Sequence, residues 1–190
     1  AEAAQRVLHA NGVHGVRIER IAGNLTDHFD PKTNVIRLSD PVYNSTSTAA
    51  IGVACHEAGH AVQYAVGYSP MKLRAAIIPL TNLGSKLAFP LILVGILLGS
   101  LGEISMMFIY LGIAAFGLSF VFQMVTLPVE FNASRRAIKA IEEGGILTEE
   151  EQKGAKKTLT AAAMTYVAAT ATALAQLLRL ILIYGRRRRD

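Results

Sequence analysis

The sequence predicts an α+β, mainly helical integral membrane protein, with a small antiparallel β-meander, a helix carrying an H-E-x-x-H motif, a transmembrane helical hairpin and further helices. Three observations predict it. Hydrophobic residues make up 52% and charged ones 17% of 190 residues, with a mean hydropathy of +0.36. That balance is too apolar for an ordinary soluble domain and far from that of a disordered chain. Two long runs, 87–102 and 104–129, hold no charged residue and are divided only by Glu103. Short β-like segments separated by turn residues occur only ahead of residue 40.

The elements follow in order. The first ten residues read as a helix. "VRIERI" (16–21), "LTDHF" (25–29) and "NVIRLS" (34–39) read as strands, divided by Gly23-Asn24 and by "DPKT" with Pro31 in a turn. Their spacing predicts an antiparallel meander. "NSTSTAA" then offers N-caps for a helix running to about Val66, which Gly67 ends. The chain opens on "AEAAQRVLHANG" without an initiator Met or a signal-peptide pattern, so further natural sequence is expected upstream.

A spanning helix needs about 20 apolar residues. The run 104–129 meets that length, and 87–102 meets it by borrowing "AAIIPLTNLGS" upstream, with Lys86 snorkelling and Pro90 kinking the helix. Pro128 suits the first turn of a new helix, which runs to Gly144-Gly145. "TEEE" (148–151) is a capping box opening the last helix. Its Ala/Thr-rich stretch 158–178 suits close packing inside a membrane bundle, or packing of a soluble helix on the rest. We expect one membrane-embedded domain of residues 1–190: meander and motif helix at 1–70, hairpin at 75–129, a following helix at 130–145 and a last helix at 148–185. Lys72, Arg74, Arg135, Arg136 and Lys139 flank the hairpin while its turn carries no Lys or Arg, which favours cytoplasmic flanks. A third span would put "RRRR" (186–189) on the opposite side.

The chemistry is concentrated in "GVACHEAGHAVQYA" (52–65). His56 and His60 are four residues apart and share a helix face, where two imidazoles can bind one Zn²⁺. Glu57, about 100° further round, can reach a metal-activated water without being a ligand. Three unpartnered polar groups among Ala54, Cys55, Ala58, Gly59 and Ala61 would be expensive in a plain core helix. A catalytic zinc takes a third protein ligand. No histidine follows His60, so a downstream carboxylate is the natural choice, and Glu130 in "LPVEFNASRRA" is the best candidate. "TDHFD", with Asp27, His28 and Asp30, is the alternative cluster, more simply read as strand and turn chemistry. Glu142 and Glu143 read as solvated.

"HEAGH", two apolar runs and "EFNASRRA" together resemble the membrane zinc metallopeptidases that include the HtpX and CAAX prenyl proteases. "LTDHFDPKTNVIRLSDPVYNSTSTAAIGVACHEAGHAVQ" more closely resembles the bacterial neutral zinc metallopeptidase family, the YugP-like membrane proteins, over most of the chain. The resemblance implies zinc ligation by His56, His60 and Glu130, a gluzincin-like site, and catalysis by Glu57. It also implies a further membrane segment ahead of residue 1. Where HtpX-like enzymes carry Asp four residues after the third ligand, this chain has Ser134, so the resemblance assigns no orienting partner there.

The expected function is a membrane-bound zinc metalloendopeptidase with one Zn²⁺ per chain, a zinc-activated water and Glu57 as general base. Arg135 or Arg136, close to Glu130 in sequence, are candidate oxyanion donors. The strand at 34–39, read as an edge, could hold an extended peptide by β-addition. Expected partners are a peptide or protein substrate, free or membrane-associated, and membrane lipid. The expected location is the bacterial inner membrane, the site facing the cytoplasm. The competing readings are a zinc-binding, non-proteolytic membrane scaffold and a zinc amidase acting on a small molecule. The net charge of +5 owes much to "RRRR", which suits anionic lipid heads. With no Trp and no nucleic-acid-binding motif, a nucleic-acid partner is not expected. The one cysteine, Cys55, excludes an intrachain disulfide and reads as a packing residue rather than a thiol switch.

Overall fold

A computed structural model describes residues 1–185. The "RRRR" run and its expected lipid role lie outside the described residues. The elements are α1 (Glu2–Ala10), β1 (Arg17–Ile21), β2 (His28–Asp30), β3 (Val35–Ser39), α2 (Asp40–Tyr43), α3 (Thr48–Ala65), α4 (Ser69–Leu97), α5 (Glu103–Glu143) and α6 (Glu149–Gly185). They divide into two compact units. One holds Ala1–Lys72 with Pro128–Thr165, and the other holds Leu73–Leu127 with Tyr166 onward. The mainly helical α+β class is as expected.

The first unit packs α1, the sheet, α3 and the adjoining parts of α5 and α6 around one core. Val7, Leu8, Ile36, Leu38, Ala58, Val62, Ala137 and Ile141 are all buried in it. Its sheet corrects the expected meander. The strand order is β1-β3-β2, with β1 parallel to β3 and only β2 antiparallel to it. Two local devices produce this order. After Ile21, which pairs with Ser39, the chain crosses the end of β3 instead of turning straight back. Asp27 fixes the crossing, accepting from the Ser39 N–H at 2.8 Å and from its hydroxyl at 2.8 Å. Asp30 then closes the β2–β3 turn, accepting from the Lys32 N–H at 2.9 Å and the Thr33 hydroxyl at 2.7 Å. Those bonds, with Arg37 beside them, hold its pKa down to about 2. The strand 34–39 is therefore central and paired on both sides, and cannot take an added peptide strand. Burial of Val35, Ile36, Leu38 and Ser39 on both faces fits a central strand.

The helix ends follow their capping chemistry. Ser47 caps α3 by accepting from the Ala50 N–H at 3.2 Å. The other end closes at Gly67 (φ +66°), where the Tyr68 N–H reaches back to the Gln63 carbonyl at 2.9 Å. Thr148 and Glu151 form the expected reciprocal box at the start of α6, with 2.9 Å from the Thr148 N–H to the Glu151 carboxylate. Pro128 differs from expectation. It does not start a helix but lies inside the 41-residue α5, as proline can within an apolar segment.

In the second unit α4 and α5 pack closely. A Cβ on Gly95 would lie 2.8 Å from the Ser105 carbonyl oxygen, and one on Gly112 2.8 Å from that of Ala88. Among the described residues three helices, α4, α5 and α6, are long and apolar enough to cross a membrane. In the second unit's part of α6 only Thr170 is buried among the described residues. The tight packing expected of its Ala/Thr stretch is thus not formed there, and its small apolar side chains face outward.

Candidate metal centre

The site belongs to the first unit and is built where α3 meets α5. Their close approach has a simple cause at Gly59: a Cβ there would lie 2.7 Å from the Ala133 carbonyl oxygen and 3.3 Å from its carbonyl carbon. One turn either way, small buried residues (Ala54, Cys55, Ala58, Ala61) keep the α3 surface shallow. His56 and His60 then stand on the face of α3 turned to α5, and Glu130 meets them.

The three side chains converge. His56 Nε2 lies 3.2 Å and His60 Nε2 3.5 Å from the same Glu130 carboxylate oxygen, and the two nitrogens are 3.1 Å apart. Zn–N and Zn–O bonds of about 2.0–2.1 Å in a tetrahedron imply ligand–ligand edges of about 3.3 Å. The triangle formed by the two nitrogens and the oxygen is of that size, so the donor set fits a zinc ion without rearrangement. Among the described residues this is the one group of three or more His, Cys, Asp or Glu side chains placed to share a metal. The local field agrees. Burial disfavours a charged His60, but the Glu130 and Glu57 carboxylates, with Gln63, outweigh it and raise its pKa. A pocket that attracts positive charge despite burial suits a cation.

Each of the two histidines has an outer partner. The His56 Nδ1 is 3.1 Å from the Ser134 hydroxyl, and the His60 Nδ1 is 3.0 Å from Gln63 Oε1. Ser134 therefore occupies the place for which the family resemblance offered no partner. Gln63 is fully buried and donates to the Val129 carbonyl at 2.8 Å and to Asn132 Oδ1 at 3.0 Å. Sequence reasoning passed over Gln63 and Asn132. A signal existed for Gln63: it lies three residues after His60, on the same helix face, in a segment otherwise of small and apolar residues.

Glu57 is 8% exposed, and no hydrogen bond or ion pair engages it among the described residues. Arg135 is exposed, and the Arg136 Nε–H donates to Asn132 Oδ1 at 2.9 Å. The alternative cluster is not assembled. Asp27 serves Ser39, Asp30 serves its turn and Arg37, and the His28 Nδ1 is 2.7 Å from the Thr26 carbonyl. This is the strand and turn chemistry the sequence suggested. Burial pushes the Cys55 thiol up to about 12, in keeping with a packing residue.

Comparison with known proteins gives a consistent result. Residues 1–185 match the family described as "Putative neutral zinc metallopeptidase". The chain is 47% identical over 184 residues to "Putative membrane protease YugP" of Bacillus subtilis (strain 168), covering 97% of this chain and 80% of that protein. No solved structure matches it.

Proposed function

Since the chain belongs to the neutral zinc metallopeptidase family, with three helices able to cross a membrane and zinc as its cofactor, we propose that it is a membrane-bound zinc endopeptidase. His56, His60 and Glu130 are its ligands and Glu57 is its general base. The observation that carries this reading is the triangle of ligand atoms, 3.1 to 3.5 Å on a side, beside an unengaged carboxylate. A zinc ion held there supplies a Lewis acid that acidifies water and polarises a peptide carbonyl.

The protein's own residues do the rest. His56 and His60 present Nε2 to the metal while Ser134 and Gln63 hold their far sides. Glu57 Oε takes the proton of the attacking water and returns it to the leaving amine nitrogen. The site opens at His56, whose side chain is 14% exposed against 3% for that of Glu130, so a peptide approaches from that side. Because 104–129 carries no charge and Glu130 follows at once, the substrates proposed are peptide segments near a membrane surface. We place it in the bacterial inner membrane, where the Lys and Arg flanking the hairpin favour a site facing the cytoplasm.

The test is Glu57→Gln, assayed on a quenched fluorogenic peptide library and for zinc. The expected outcome is retained zinc with cleavage reduced at least 10²-fold, the usual scale of a lost general base. A variant that cleaves like wild type would overturn the assignment. Failure of the zinc-loaded wild type to cleave any peptide would favour a scaffold that keeps zinc for stability.

A further inference from the structure

The His60 ring reaches the metal through Nε2 only if its proton sits on Nδ1, and the structure shows what enforces that choice. The chain of bonds begins at Arg136, whose guanidinium can only donate. Its Nε–H points at Asn132 at 2.9 Å, so Asn132 must present Oδ1, an acceptor. That same oxygen faces Gln63 at 3.0 Å, which must then present its amide nitrogen. The Val129 carbonyl, 2.8 Å away, can only accept and demands the same orientation. The amide oxygen of Gln63 is thereby turned to His60 Nδ1 at 3.0 Å and requires a proton there. His60 Nε2 is left bare beside His56 and Glu130. Every link has one allowed polarity.

From this relay we infer that Gln63, seconded by Asn132 and Arg136, is the positioning residue that fixes the His60 tautomer for metal capture. It acts through His60 and touches neither substrate nor metal. Its complete burial removes water as a substitute partner. The relay also ties α3 to the α5 backbone at Val129, the residue before the third ligand, so one side chain fixes both the ring's proton and the spacing of the ligand helices. His56 is held differently, by the Ser134 hydroxyl, which can donate or accept and imposes no polarity of its own. The site is thus asymmetric, with one ligand of enforced tautomer and one adaptable.

The inference rests on the zinc-site reading above, and the two fail separately. The measurement is the ¹⁵N spectrum of the His60 ring in full-length protein, metal-free at alkaline pH and then zinc-loaded, together with competitive zinc affinity. Wild type is expected to carry the proton on Nδ1 in both states. Gln63→Leu, close in volume, should shift metal-free His60 towards the Nε2–H form and weaken zinc binding 10- to 100-fold. Gln63→Glu keeps an acceptor for His60 but sets a second oxygen against Val129 and Asn132. It should retain the Nδ1–H form while weakening zinc less than Gln63→Leu. Arg136→Met, at a half-buried site, should weaken zinc in the same direction by less. An unchanged tautomer and zinc affinity within twofold of wild type in Gln63→Leu would overturn the inference. A wild type with the Nδ1–H tautomer but no zinc affinity would overturn the metal-site reading and leave the relay standing.

Discussion

Cys55 lies beside His56 in sequence, yet its thiol is fully buried and pushed up to about 12 by that burial. The thiolate, which is the reactive form, is therefore a minor species throughout the neutral range. In the folded protein, alkylation by a maleimide or iodoacetamide at neutral pH should be at least tenfold slower than in denaturant, rising only as the pH approaches strongly alkaline values. Fast labelling of the native protein would contradict the packing role. At this scale the cluster of His56, His60 and Glu130 and the proposed base Glu57 were legible because their chemistry is written in the spacing of His56, Glu57 and His60 and in an isolated downstream carboxylate. Gln63 and Asn132 were not, because an amide has no motif of its own. Their meaning comes from contacts 66 and 69 residues away in the chain.

Among the elements, α3 and α5 matter most, and Gly59 sets how near they come. Replacing it with alanine gains about 1 kcal/mol of helix propensity. It also forces a methyl group to within 2.7 Å of the Ala133 carbonyl oxygen, where backbone rather than a mobile side-chain tip must yield. Overpacking of that kind costs about 1–3 kcal/mol, so Gly59→Ala should lower Tm and weaken zinc binding together. Gly117→Ala, where nothing lies within 4 Å of the added carbon, should leave both unchanged or raise Tm. Equal Tm for the two variants would contradict the close-approach account. The helices were readable from their caps and apolar runs. The sheet was readable as three segments but not in its order, because the pairing of β1 with β3 depends on Asp27 reaching Ser39, twelve positions on. The sequence 25–29 carries strand-like residues yet spends its first half on that crossing, with Leu25 at φ +58°. Pro128 reads as a helix start by local rules, and the surrounding helix overrides it.

For the molecule as a whole, the second unit makes a membrane topology testable. The last turn of α6 and the α4–α5 turn meet around one apolar cavity, lined by Gly102, Glu103, Tyr110, Ile183 and Tyr184 among others. If all three helices cross, Gly102 and Gly185 emerge on the same face of the bilayer. Single cysteines at those two positions, probed with a membrane-impermeant maleimide in intact cells and inverted vesicles, should label from the same side. With buried Cys55 as a silent background, labelling from opposite sides would contradict a third span. The apolar runs made the membrane legible in sequence. The side reached by α6 was not, since its outward-facing Ala and Thr side chains suit either environment.

The central claim, that one zinc is held by His56, His60 and Glu130, is tested most directly by zinc content per chain in detergent-purified wild type and Glu130→Ala. The expected result is one zinc in wild type and a loss of at least tenfold in affinity in the variant, with helix content preserved. Full zinc retention by Glu130→Ala, or none bound by wild type after reconstitution, would contradict it.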